Sequence, residues 1–149
     1  MRKGQESPEL ARAGARGLVA ALAMSGLRTV TGSLGLMRRT PPEQVVELSA
    51  PRTMRKLPTG GRTALVEGAH CVYGVAGGVV YALLPERIRQ QWWAGPCYGV
   101  AVWLVFEAAI APVLGLRHPE RRKLLARAAL VADHALYGVV VAGGLAPRP

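Results

Sequence analysis

The sequence predicts an all-α polytopic membrane protein, a four-transmembrane-helix bundle, and three observations carry that expectation. Half of the 149 residues are apolar and only 19% are charged, too few to cover the surface of a soluble domain of this size. The apolar residues gather into four stretches: 17–37, 64–84, 92–116 and 124–146. Each is about 21–25 residues, enough to cross a hydrocarbon core of about 30 Å at about 1.5 Å per residue. Gly, Ala and Val dominate the stretches while Phe occurs once, as suits membrane helices that pack backbone to backbone. A membrane β-barrel would need apolar and polar residues alternating in ~10-residue strands, and these runs do not alternate.

Residues 1–16 read as a basic N-terminal tail, beginning Met1-Arg2-Lys3. The first stretch is too long for a signal-peptide core and contains Arg28, so it is expected as a retained helix. Arg38-Arg39-Thr40-Pro41-Pro42 ends it and opens a long basic loop, 38–62. Val45, Val46 and Leu48 within that loop fit a short helix lying in the membrane interface. The loop at 85–91 is short, which predicts an antiparallel hairpin of the second and third stretches. Residues 117–123 join the third and fourth stretches, and His118 there reads as solvated. Trp92, Trp93 and Tyr81 form an aromatic belt at one interface. Cys71 and Cys97 fall at different depths and read as free thiols. Residues 17–146 are therefore one transmembrane domain.

The net charge of +10 would suggest nucleic acid in a soluble chain. Here the basic residues lie between apolar stretches, no aromatic-rich nucleic-acid module is present, and anionic lipid headgroups are the expected partner. Seven Lys or Arg lie on the side of the termini and eleven on the side of 38–62 and 117–127. The positive-inside rule then places those two segments in the cytoplasm and both termini outside.

Every stretch carries ionisable residues in its interior: Arg28, then Glu67 and His70, then Glu107, then Asp133 and His134. Counted from the helix ends, all lie roughly 5–15 Å below the same membrane face. A charge at mid-helix costs about 2.5–3.5 kcal/mol on insertion scales, so the groups are expected to meet inside the bundle. They could be a structural network that ties helices together. They could relay protons, as carboxylate–histidine chains do at one depth. Glu67-x-x-His70 has the spacing of a bundle di-metal ligand pair, although Arg28 would repel the cation. His70 and His134 could alternatively hold a haem as axial ligands. The primary expectation is no cofactor and no metal. No Ser–His–Asp order, phosphate loop or Cys-pair zinc motif occurs, which points to a non-enzymatic protein with no catalytic residues.

Gly74/Gly78 and Gly95/Gly99 are Gly-x-x-x-Gly pairs, and Gly138 with Ala142 is a related one. With Tyr73 and Tyr137 beside them they are assigned to helix-packing faces, within one chain or in a homo-oligomer. His70-x-x-Tyr73-Gly74 and His134-x-x-Tyr137-Gly138 echo one another, as a duplicated helical hairpin would.

Those two echoes, Gly95-x-x-Tyr98-Gly99 with Trp103, Pro112-x-x-Gly115, the opening Gly17-Leu-Val-Ala with Met24, and Pro41-Pro42-Glu43 together resemble the YagU-like family of small bacterial inner-membrane proteins. The resemblance covers most of the chain beyond residue 17, while Arg28 and Glu107 match none of its motifs. It implies a multi-pass protein of the bacterial inner membrane and supplies no biochemical activity. An accessory subunit of a larger membrane complex, or a haem- or metal-binding redox protein, are the alternative expectations.

Overall fold

The computed structural model describes residues 6–33, 41–116 and 124–143. Among these the chain is helical throughout, with no strand. Helix α1 is Glu6–Ser33, α2 is Pro41–Ser49, α3 is Pro51–Lys56, α4 is Thr59–Ala82 and α5 is Glu86–Arg89. Helix α6 is Ala94–Val105, continued by a π-helical turn, Phe106–Ile110, and by α7, Ala111–Val113; α8 is Leu124–Ala142. The ends of the first and fourth apolar stretches and the whole 117–123 connection, His118 included, lie outside the described residues.

Helix α1 begins well before the expected boundary at Gly17. Residues 6–16 are rich in Ala, Glu, Leu and Arg, which favour helix whether or not they are apolar. The buried residues of α1, Ala13, Gly14, Gly17, Ala20, Ala21, Met24 and Arg28, fall on one helix face at a spacing of three to four residues or as neighbouring pairs along it. This stripe is narrow and small, so neighbouring backbones come close.

A Cβ on Gly17 would strike the carbonyl oxygen of Gly74, and one on Gly78 would strike the carbonyl oxygen of Ala13. A second seam joins α6 to α8, where a Cβ on Gly99 would strike the carbonyl of His134 and one on Gly138 the carbonyl of Gly95. Helix α1 also packs on α8, so the long helices follow the order α4, α1, α8, α6.

The short loop after α4 therefore does not make α4 and α6 the closest pair. Glycine positions select partners more strongly than loop length does, because only a face without side chains lets two backbones touch. Helices α4 and α6 meet through tyrosines. The Tyr98 hydroxyl donates to the Gly77 carbonyl at 2.6 Å, and the rings of Tyr81 and Tyr98 meet edge to face at 5.1 Å. Tyr81 is buried in the core with Ala20, Met24, Tyr137 and Val141 rather than standing in an exposed belt. Tyr137 of α8 donates to the Gly74 carbonyl at 2.8 Å.

The π-helical turn has a covalent cause. Pro112 has no N–H to give to Ala108, and its ring crowds that carbonyl. Ala111 donates instead to Phe106, five residues back. The helix then closes in a Schellman arrangement, with Gly115 at φ 67°, Gly115 N–H on the Pro112 carbonyl and Leu116 N–H on the Ala111 carbonyl. In the long loop, α2 packs on α4, and Val46, Met54 and Val66 form a small apolar cluster of their own.

Many large aliphatic side chains point outward, away from the glycine and alanine seams. Val72 is 70% exposed and Val113 86% exposed, with Val19, Leu22, Val80 and Val105 more than half exposed. The segments Thr59–Ala82 and Ala94–Val113 are long and apolar enough to cross a membrane.

Candidate functional site

Arg28, His70, Glu107, Asp133 and His134, one or two from each long helix, gather at the end of the bundle nearest α2. Arg28 is 8% exposed on α1. Its Nη2 donates to Ser25 Oγ at 2.9 Å and its Nε reaches the Met24 carbonyl at 3.3 Å. The Ser25 hydroxyl in turn donates to Glu67 Oε2 on α4. A guanidinium, a hydroxyl and a carboxylate thus form one chain across the α1–α4 seam. Serine fits there because Ser25 precedes Arg28 by three positions, on the same helix face. Glu67 and Asp133 both lie close enough to act on the Arg28 charge.

Asp133 on α8 is 4% exposed, and its Oδ1 has no hydrogen-bond partner among the described residues. Beside it, His134 donates Nδ1–H to the Leu130 carbonyl at 2.8 Å, one turn back. That fixes the ring and leaves Nε2 on its far edge. His70 on α4 lies against the Ala21 backbone, and its buried Nε2 has no partner among the described residues. Glu107 sits within the π-helical turn, a local geometry that re-aims side chains and recurs at functional sites.

A cavity of about 310 Å³ collects Arg28, His70, Glu107, Asp133 and His134 on its wall, together with Tyr73. The rest of the wall is apolar: Met24, Val45, Val46, Trp103, Phe106, Ile110 and Leu130. Glu67 is not on it. Glu67 lines an adjoining polar groove with Glu43, Glu47, Arg55 and Arg62. The arrangement therefore runs from the mostly apolar cavity, through Arg28, Ser25 and Glu67, to the polar groove.

The remaining sequence-derived residues lie elsewhere in the bundle. Gly74 and Gly78 stand on the α1–α4 seam, and Gly95, Gly99 and Gly138 on the α6–α8 seam. Tyr137 is buried between α8 and α4, whereas Tyr73 is 43% exposed. Among the described residues no group of three His, Cys, Asp or Glu side chains is placed to hold a metal ion, and Cys71 and Cys97 are free.

Sequence reasoning missed Ser25, the α2 residues on the cavity wall, and Trp103 as a lining residue whose buried Nε1 has no partner among the described residues. Trp103 stands one helical turn before Glu107, which was the available signal for it. No curated protein and no solved structure matches the chain. A family model does match residues 8–146, nearly the whole of the seam and cavity region just described, and the chain belongs to that family, a family of unknown function (DUF6789).

Proposed function

We propose that this chain is a non-enzymatic, multi-pass protein of a bacterial inner membrane. In this reading its four long helices cross the bilayer and its buried Arg/Glu/Asp/His cluster handles protons. The observation that carries the reading is the cavity wall. Arg28, His70, Glu107, Asp133 and His134 share it, and two of their polar atoms, Asp133 Oδ1 and His70 Nε2, have no partner among the described residues. A cluster that only tied helices together would satisfy its members, because each buried unsatisfied polar atom costs about 1–3 kcal/mol. Unpaired acceptors beside a cavity are instead places for a proton or a water that carries one. The Arg28–Ser25–Glu67 chain supplies a polar connection toward the surface groove.

The membrane setting is supported by the outward-facing valines and leucines around glycine seams, a pattern suited to lipid rather than water. It also agrees with the resemblance to the YagU-like inner-membrane proteins. The basic segments suit anionic headgroups on the cytoplasmic side.

The test is proton flux into sealed phospholipid vesicles that carry the purified protein and an internal pH dye. After an acid jump under a clamped membrane potential, the wild type should acidify the lumen faster than empty vesicles, and Asp133→Asn should remove most of the difference. Equal rates in all three would refute proton handling and leave a structural cluster. Co-purification of a partner in mild detergent would instead favour an accessory subunit, and colour or bound metal a redox protein. For the orientation, a reporter inserted near Arg52 should read cytoplasmic and one fused after Arg148 periplasmic; the reverse would overturn it.

A further inference from the structure

We propose that a groove at the opposite end of the bundle binds the phosphate of an anionic membrane phospholipid, held between Arg12 and Arg16. The inference rests on the membrane reading given above and does not depend on proton handling. The groove measures about 600 Å³ and lies where the start of α1 meets the end of α4, α5 and the last turn of α8. Its wall is largely polar, with Glu9, Arg12 and Arg16 from α1, Tyr81 from α4 and Arg89 from α5. It stands at the far end of α4 from the basic loop 38–62, so the lipid would belong to the leaflet on the side of the termini.

The charges on the wall do not cancel. Arg89 Nη1 donates to Glu9 Oε1 at 2.7 Å and its Nε donates to the Leu84 carbonyl at 3.0 Å, which ties α1 to α5 and uses up the one carboxylate. Arg12 and Arg16 are left without an anionic partner among the described residues. They stand four positions apart on one helix face, about 5–6 Å between Cβ atoms, where like charges repel. One phosphate at that spacing accepts from both guanidinium groups and removes the repulsion. Arg16 is also held in place. Its guanidinium lies against Gly143, where a Cβ would come 3.0 Å from Nη1, and the backbone there turns at φ 81°.

The surroundings point to a lipid as the carrier of the phosphate. Val19, three positions beyond Arg16 and seven beyond Arg12, continues the same face of α1 and is 58% exposed. Val80 and Leu83 flank the groove residues Tyr81 and Ala82 in sequence and are exposed as well, as are Trp92 and Trp93 just after Arg89. Charge at the end of the bundle, indole rings beside it and aliphatic surface below it match a headgroup above its acyl chains. A free phosphate would have no use for the apolar part.

The experiment measures heat resistance of the full chain in neutral detergent, as the fraction still monodisperse on size exclusion after heating. Dioleoylphosphatidylglycerol is the probe. Dioleoylphosphatidylcholine, whose phosphate is offset by a choline cation, and inorganic phosphate are the comparisons. At about a hundredfold excess over Kd, the glycerol lipid should raise the midpoint by about 5 °C or more. The choline lipid and inorganic phosphate should do markedly less. Arg12→Gln combined with Arg16→Gln should weaken the lipid's effect about tenfold or more in concentration, as loss of a charge-assisted bond does. The same double change should not lower the midpoint of the lipid-free protein, because it removes a like-charge pair. Arg52→Gln combined with Lys56→Gln, an equal loss of charge at the other end of α4, should leave the lipid's effect as it is. Equal shifts from the two lipids, or no shift from either, would overturn recognition of an anionic headgroup. An equal shift from inorganic phosphate would overturn the lipid as carrier. An undiminished effect in the Arg12 and Arg16 variant, or an equal loss in the Arg52 and Lys56 variant, would overturn the groove. Release of the protein from membranes by alkaline carbonate would remove the membrane reading itself, whatever the melts show, while absence of proton flux would leave this inference standing.

Discussion

Replacing Gly17 with alanine is the sharpest probe of how this bundle is held together. The added Cβ would fall onto the Gly74 carbonyl oxygen, 2.9 Å from the Gly74 carbonyl carbon and 3.1 Å from the Gly78 Cα. All three are backbone atoms, and none can rotate away. Ordinary contact begins at 3.4 Å, and the carbonyl oxygen is the nearest of the three, so α1 and α4 must part by about 1 Å or more to admit one methyl group. Forcing a methyl into a packed seam costs about 1–3 kcal/mol, and separation also loosens Ala13, Ala21 and Gly78 along the same line. The control is Gly26→Ala on the same helix. A Cβ there meets nothing within 4 Å, and alanine should stabilise the helix by about 0.5–1 kcal/mol. Thermal unfolding of both variants in one detergent should therefore move in opposite directions, Gly17→Ala falling by several degrees. If Gly17→Ala unfolds with the wild type, the close seam does not hold α1 to α4, and the packing argument fails with it.

Two further outcomes follow from the polar contacts. Arg28→Leu should cost about 3–5 kcal/mol, because Glu67 and Asp133 both lose the nearby guanidinium charge, and Asp133→Asn in that background should recover part of the loss; a near-neutral single variant in a detergent melt would show that Arg28 does not organise the cluster. Tyr137→Phe should cost about 1 kcal/mol by removing the bond to the Gly74 carbonyl while leaving the ring in place, and a thermal midpoint equal to wild type would show that the hydroxyl is not needed.

The helices were legible in the sequence because apolar runs of bilayer length, rich in small residues, are what a lipid-facing helix requires. Their limits were less legible. Hydropathy marks where lipid contact would begin, whereas α1 continues to Glu6 through helix-forming residues that are not apolar. The partner of each helix could not be read from loop length, since the decisive information lay in which glycines face which backbone. Pro112 in the middle of a helical run announced a local defect, and the π-helical turn is its consequence. At the site, the insertion cost of a buried charge was enough to single out Arg28, Glu67, Glu107 and Asp133. The cost argument is blind to Ser25, because a hydroxyl in a helix is inexpensive and common, yet it is the atom that links Arg28 to Glu67. It is equally blind to α2, whose Val45 and Val46 reach the cavity only through the fold of the long loop.

The glycine seams leave the bundle with smooth rails. Interlocking side chains resist sliding along a helix axis, and a seam of glycine and alanine offers little of that resistance. A pair of phenols adds directional contacts along the axis: Tyr137 latched to the Gly74 carbonyl and Tyr98 to the Gly77 carbonyl. Both latches grip α4 within one helical turn, beyond His70 and toward α5. The ends of the rails that enclose the cavity lie on the far side of those tyrosines, joined by an arginine, a serine and a carboxylate beside the Val46, Met54 and Val66 cluster. The side-chain bonds between helices therefore fall at two heights, phenols on α4 carbonyls at one and the Arg28–Ser25–Glu67 chain at the other, where Asp133, His70 and Trp103 also stand.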